Sequence, residues 1–111
     1  MEYVWTPIIP FTPQNVRKVP NNKGGVYKFY DRFMQCIYTG RASGSIYGDL
    51  RHRLQSYYQE DDFREHKTKK KLRSDISYFN WAVISNKSQR RATEKSLKRD
   101  FFGRKLKHNW N

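Results

Sequence analysis

The 111-residue sequence predicts an α+β fold: a small three-stranded antiparallel sheet flanked by helices. Three observations predict it. Two alternating, β-rich runs follow one another across a short polar turn, a helical stripe comes next, and a third alternating run precedes a last helical stripe. The length allows one compact domain with one modest core.

Residues 1–20 read as an irregular, Pro-rich arm. Pro7, Pro10, Pro13 and Pro20 all fall within it, which argues against regular helix and against an unbroken sheet ladder. Trp5, Ile8, Ile9 and Phe11 make the arm too apolar for a free tail, so it is expected to pack on the domain formed by residues 21–111.

Asn21-Asn22-Lys23-Gly24-Gly25 is turn chemistry, and Val26-Tyr27-Lys28-Phe29-Tyr30 is rich in β-formers, so a strand starts near Gly25. After a turn at Asp31-Arg32, the run from Met34 to Thr39 alternates and stops at Gly40, which makes the pair an antiparallel hairpin carrying Tyr27 and Tyr38. Asp49 is placed to cap a helix whose stripe is Leu50, Leu54, Tyr57 and Tyr58, with Arg51 and Arg53 on its opposite margins.

Residues 61–75 carry many cations and only Phe63 and Leu72 to bury, a surface segment if helical. Ile76 to Ser85 alternates, with Phe79, Trp81 and Val83 on one side, and reads as the third strand. Ser85, Asn86 or Ser88 can then cap a last helix containing Leu97, Phe101 and Phe102.

Charge narrows the partners. Twenty-three Lys and Arg against ten Asp and Glu leave a formal charge of +13, which favours polyanions. Nucleic acid suits this better than a membrane, because no apolar run approaches the roughly 20 residues that span a bilayer. Arg64, Lys67, Lys69, Lys70, Lys71 and Arg73 are candidates for a phosphate rail, the plainer reading being a solvated face. The single Cys36 and the absence of a signal-like start point to a reducing, cytoplasmic setting. One Cys and three scattered His match no zinc spacing, so any metal must be held mainly by oxygen.

In the last helix Leu97 and Phe101 lie three and seven positions after Glu94, which sets that carboxylate in the apolar stripe. A buried carboxylate needs a cation, an ion pair or a proton. Arg90 and Lys98, four residues to either side, offer an ordinary intrahelical pair. Tyr27 and Tyr38, taken alone, are core aromatics before they are anything else, and periodicity does not choose between Arg51 and Arg53.

Combination changes these readings. Gly25-Val26-Tyr27, followed after ten intervening residues by Tyr38-Thr39-Gly40, resembles the paired GIY and YIG motifs of the GIY-YIG nucleases. The likeness continues through Arg41-Ala42-Ser43 and through the run from Asp49 to Tyr58, which is similar to the family's first helix and favours Arg53 over Arg51. Thr93-Glu94-Lys95-Ser96-Leu97 looks like its metal-binding segment, and His108-Asn109-Trp110-Asn111 like its terminal asparagine motif. Thr39 departs from the family's branched apolar residue, and Gly44 to Gly48 look like an insertion.

The resemblance implies a divalent-metal-dependent endonuclease with catalytic Tyr27, Tyr38, Arg53, Glu94 and Asn111, Asn109 being the other counterpart for the last. Glu94 would hold Mg²⁺ or Mn²⁺, and Arg41 and Arg51 would join the basic segment as DNA contacts. The substrate would be single- or double-stranded DNA, cut to a 5′-phosphate and a 3′-hydroxyl. No separate reader module is present to set specificity, so low or structure-dependent specificity, or a protein partner or oligomer that supplies it, is expected. Two other readings remain open: a non-catalytic basic module on which bases stack, and a ribonuclease.

Overall fold

The computed structural model describes residues 3–44, 48–58 and 73–99. Within them run β1 (Ile9–Pro10), α1 (Pro13–Val16), β2 (Gly25–Tyr30), β3 (Cys36–Ala42), α2 (Leu50–Gln55), β4 (Tyr78–Val83) and α3 (Lys87–Arg99). The strands form one antiparallel sheet in the order β1-β4-β2-β3.

The three expected strands are present, and the arm adds a fourth at the edge. Ile9 pairs with Phe79 and Pro10 with Tyr78. Proline is tolerated in that place because an edge strand need not donate on its outer side. The arm also holds a short helix, contrary to the expectation drawn from its prolines: Thr12 Oγ1 accepts from Asn15 N at 3.2 Å, and Pro13 occupies the first turn, where its missing N–H costs nothing.

Strand β3 runs through Gly40 to Ala42 instead of stopping at the glycine. Tyr27 pairs with Gly40 and Phe29 with Tyr38, and a bulge follows between Phe29 and Tyr30. This register puts Tyr27, Phe29 and Tyr38 on one face of the sheet. That face closes over Val16, Val19, Leu50, Leu54, Tyr57 and Phe79, the main core. The opposite face, with Val26, Ala82 and Ile84, is covered by Tyr3 and Trp5 of the arm, and Lys28 Nζ sits 4.4 Å from the centre of the Trp5 ring.

Asp49 caps α2 as its position suggests, its side chain accepting from His52 N at 2.8 Å. The second carboxylate oxygen accepts from Asn22 N at 2.6 Å, so one buried residue ties the start of α2 to the loop before β2. Asn86 Oδ1 accepts from Gln89 N at 3.0 Å at the start of α3, choosing Asn86 among the three capping candidates. Helix α3 packs against β3 and β2.

Residues 73–75 are helical. The expectations for Arg64 to Leu72, for Phe101 and Phe102, and for Asn109 and Asn111 lie outside the described residues. No helix among the described residues is long and apolar enough to cross a membrane.

Candidate active site

The site grows from the register of β2 and β3. Tyr27 and Tyr38 project from the same face, and Tyr57, two residues past the end of α2, closes the group. The hydroxyls of Tyr27 and Tyr57 are 3.0 Å apart, and Tyr57 also hydrogen-bonds with Tyr38. Their rings meet at centroid separations of 6.1 to 6.3 Å, with Phe29 filling the space beneath at 4.8 Å from Tyr57.

Burial decides how these phenols titrate. Tyr27, Tyr38 and Tyr57 are all held well above the ordinary phenol value, first by loss of solvent and next by one another's charge. The Arg53 guanidinium acts on all three in the opposite sense and favours the phenolate, while Glu94 opposes the phenolates of Tyr27 and Tyr38. Arg53 of α2 and Glu94 of α3 thus both act electrostatically on the hairpin phenols.

Glu94 is mostly covered, its side chain 16% exposed. It does not form the intrahelical pair with Arg90. Its ion pair is with Arg41 across to β3, Nε to Oε1 at 3.7 Å, too long for a hydrogen bond and worth little in partial solvent. Arg90 instead donates from Nη1 to the carbonyls of Ile84 and Ser85, both at 2.9 Å.

A divalent ion fits this donor set. The described residues contain no group of three or more His, Cys, Asp and Glu, so no multi-carboxylate cage is formed there. Among the described residues this covered carboxylate has only the long pair with Arg41, which suits a hard cation that keeps several of its own waters, as Mg²⁺ does.

Arg51 and Arg53 separate clearly. Arg51 donates from Nε to Val19 O at 2.7 Å and from Nη2 to Arg17 O at 2.9 Å, fastening α2 to the end of α1. Arg53 is exposed and lines a cavity with Arg41, Ala42, Ser43, Lys87, Arg90 and Arg91. Arg41 is thus both the partner of Glu94 and part of that wall, and Arg73 is half-buried in the helical residues 73–75. Thr39 is fully buried within β3.

In the sequence Tyr57 reads as a core residue of a helical stripe. One signal was available: Tyr57 follows Arg53 by four positions, one helical turn. Lys87 and Arg91 are not legible in the sequence, because an exposed cation on a basic chain carries no signal of its own.

These features agree with what the chain is similar to. Residues 23–101 match the family model described as the UvrC-like GIY-YIG domain. No curated protein matches the chain. Among solved structures, the N-terminal GIY-YIG endonuclease domain of UvrC from Thermotoga maritima, bound to magnesium as its catalytic divalent cation, superposes with a TM-score of 0.65 at 20% identity, covering 89% of this chain and 100% of that one. Point mutants of the same domain bound to the catalytic divalent cation, two of them with a tyrosine replaced by phenylalanine, give a TM-score of 0.66 at 19% identity over 90% of this chain and 100% of theirs. At such identity the structural likeness is one of fold, and it is the family model, matching most of the chain, that establishes membership. This chain belongs to the GIY-YIG nuclease family, and its nuclease domain is of the UvrC-like type.

Proposed function

We propose that the protein is a divalent-metal-dependent endonuclease that hydrolyses phosphodiester bonds in DNA with low or structure-dependent specificity, leaving a 5′-phosphate and a 3′-hydroxyl. What supports this reading is the hydrogen-bonded group of Tyr27, Tyr38 and Tyr57, on which the charges of Arg53 and Glu94 both act.

Each group has a task its chemistry suits. The exposed Arg53 fork, whose charge reaches the phenols, binds the non-bridging oxygens of the scissile phosphate. Tyr27 takes the proton of the attacking water at Oη, acting as phenolate. Burial first and Tyr38 next hold Tyr27 in its neutral form, and its hydrogen bond with Tyr57 and the charge of Arg53 offset only part of that, so the phenolate needs further positive charge at the site. Tyr38 and Tyr57 hold the Tyr27 hydroxyl in place, and the surrounding aromatic rings exclude competing water.

Glu94 would hold Mg²⁺ or Mn²⁺. Bound there, such an ion supplies the positive charge that offsets the charge developing on the phosphoryl and departing 3′ oxygens and helps Tyr27 lose its proton. Asn111 completes the proposed set by resemblance.

The test is incubation with supercoiled plasmid, single-stranded circle and RNA, each with Mg²⁺ or EDTA. Mg²⁺-dependent nicking of DNA that Glu94→Ala abolishes, with DNA binding retained, is the expected result. Cleavage of RNA alone would make the enzyme a ribonuclease, and binding without cleavage would leave a nucleic-acid-binding module.

A further inference from the structure

Arg41, Arg53, Lys87, Arg90 and Arg91 face a single cavity of about 250 Å³, completed by Ala42 and Ser43. Of these five cations the hydrolytic reading employs only Arg53. Like charges gathered around one partly dehydrated space repel one another unless an anion enters it.

Arg90 is the clearest sign that the space is built for one. It is a charged side chain only 9% exposed, and the carbonyls of Ile84 and Ser85 fix its Nη1 without cancelling its charge. Gly24 makes its seat: a Cβ there would stand 2.6 Å from Arg90 Nη1 and 2.9 Å from Ala42 O. Among the described residues the ion pair at this cavity is Arg41 with Glu94, and Arg90 takes no part in it. Lys87, Arg90 and Arg91 also rise from the first turns of the 13-residue α3, whose backbone dipole adds positive potential at that end.

We infer that the cavity seats a second phosphate of the substrate backbone, the neighbour of the one being cut, with Lys87 and Arg91 as its exposed contacts and Arg90 as a fixed positive floor. This rests on the nuclease reading above. Arg53 belongs to both places, so a strand that lays its scissile phosphate on Arg53 carries the adjoining phosphodiester into the cavity. Holding the strand at two successive phosphates fixes its path across Tyr27 without reading any base. Free inorganic phosphate carries the same chemistry, and the test separates the two.

Binding of a fluorescent duplex oligonucleotide is measured in EDTA across a salt series for the wild type, for Lys87→Ser/Arg91→Gln, and for Arg17→Gln/Arg32→Gln, which removes the same charge from exposed positions elsewhere. The cavity variant is expected to lose about tenfold in affinity and about 0.9 from the slope of log K against log salt, the amount for one phosphate contact. The control is expected to lose less than about twofold. Equal losses in the two variants would overturn the inference, since net charge alone would then explain them. So would a cavity variant that binds DNA like the wild type while losing a thermal stabilisation that inorganic phosphate gives the wild type. The EDTA series needs no catalysis: a protein that shows the cavity-dependent slope but never nicks plasmid refutes only the hydrolytic reading, and one that nicks plasmid with an unchanged slope refutes only the cavity.

Discussion

Tyr27 lies across Gly40, its partner in the β2–β3 ladder, so closely that a Cβ on Gly40 would stand 2.5 Å from both Cζ and Oη of the phenol. The ring is buried and enclosed by Phe29, Tyr38 and Tyr57, so it has nowhere to withdraw. Gly40→Ala is predicted to cost about 1–3 kcal/mol of stability by overpacking, and to cut plasmid cleavage because it moves Oη. Urea titration and the nicking assay check both, and wild-type values in each would mean that the ring has room.

Tyr57→Phe keeps the ring and removes the hydroxyl that meets Tyr27 at 3.0 Å. Leaving the buried Tyr27 hydroxyl without that partner is predicted to cost about 1–3 kcal/mol. Cleavage should fall about 10²-fold, with DNA affinity in EDTA unchanged. A variant that cuts at the wild-type rate would reduce Tyr57 to packing.

Buried phenols also make stability depend on alkaline pH. Tyr27, Tyr38 and Tyr57 are raised by burial, and Tyr30, hydrogen-bonded to Asn80, is pushed up to about 12 for the same first reason. Above about pH 10 the unfolded chain releases these protons before the folded one does. The folded state then binds more protons, and stability falls as pH rises, by up to about 1.4 kcal/mol per pH unit for each phenol. Below that range their contribution is fully present. Urea midpoints of the metal-free protein between pH 8 and pH 11 should stay level and then drop. The drop should be shallower in Tyr57→Phe, and parallel curves would contradict the assignment.

How much of this was legible beforehand differs from element to element. The hairpin and β4 announce themselves by alternation because one sheet face meets a core of aromatics. β1 does not, since two residues among four prolines have no period, and their pairing with Phe79 and Tyr78 is a tertiary event. Gly40 reads as a strand end because glycine weakens strands; it sits inside one because a neighbouring ring occupies the space of its side chain. Pro13 reads as a breaker and is a helix starter, a difference decided by Thr12 before it. Tyr27, Tyr38, Arg53 and Glu94 emerged together from the motif resemblance. Tyr57 was hidden by its place in an apolar stripe, and the partner of Glu94 lay on another element, where periodicity is blind.

Arg51 and Arg53 stand two positions apart and should fail in opposite ways. Arg51→Ala removes donors from the carbonyls of Val19 and Arg17 and is predicted to cost about 1–3 kcal/mol of stability, with DNA affinity nearly intact. Arg53→Lys keeps the charge at an exposed place, so stability should change by less than about 0.5 kcal/mol. Cleavage should nonetheless drop about 10²-fold for want of the planar fork. Thermal melts and nicking rates of the two variants check the contrast, which a reversed pattern would refute.

The most direct measurement is anomalous diffraction from crystals soaked in Mn²⁺. The predicted result is one site in contact with the Glu94 carboxylate, on the side of Tyr27 and Arg53, with Arg41 turned away from the acid. A cation bound elsewhere, or Glu94 still paired to Arg41 with no metal beside it at saturating Mn²⁺, would contradict a hydrolytic centre built on this carboxylate.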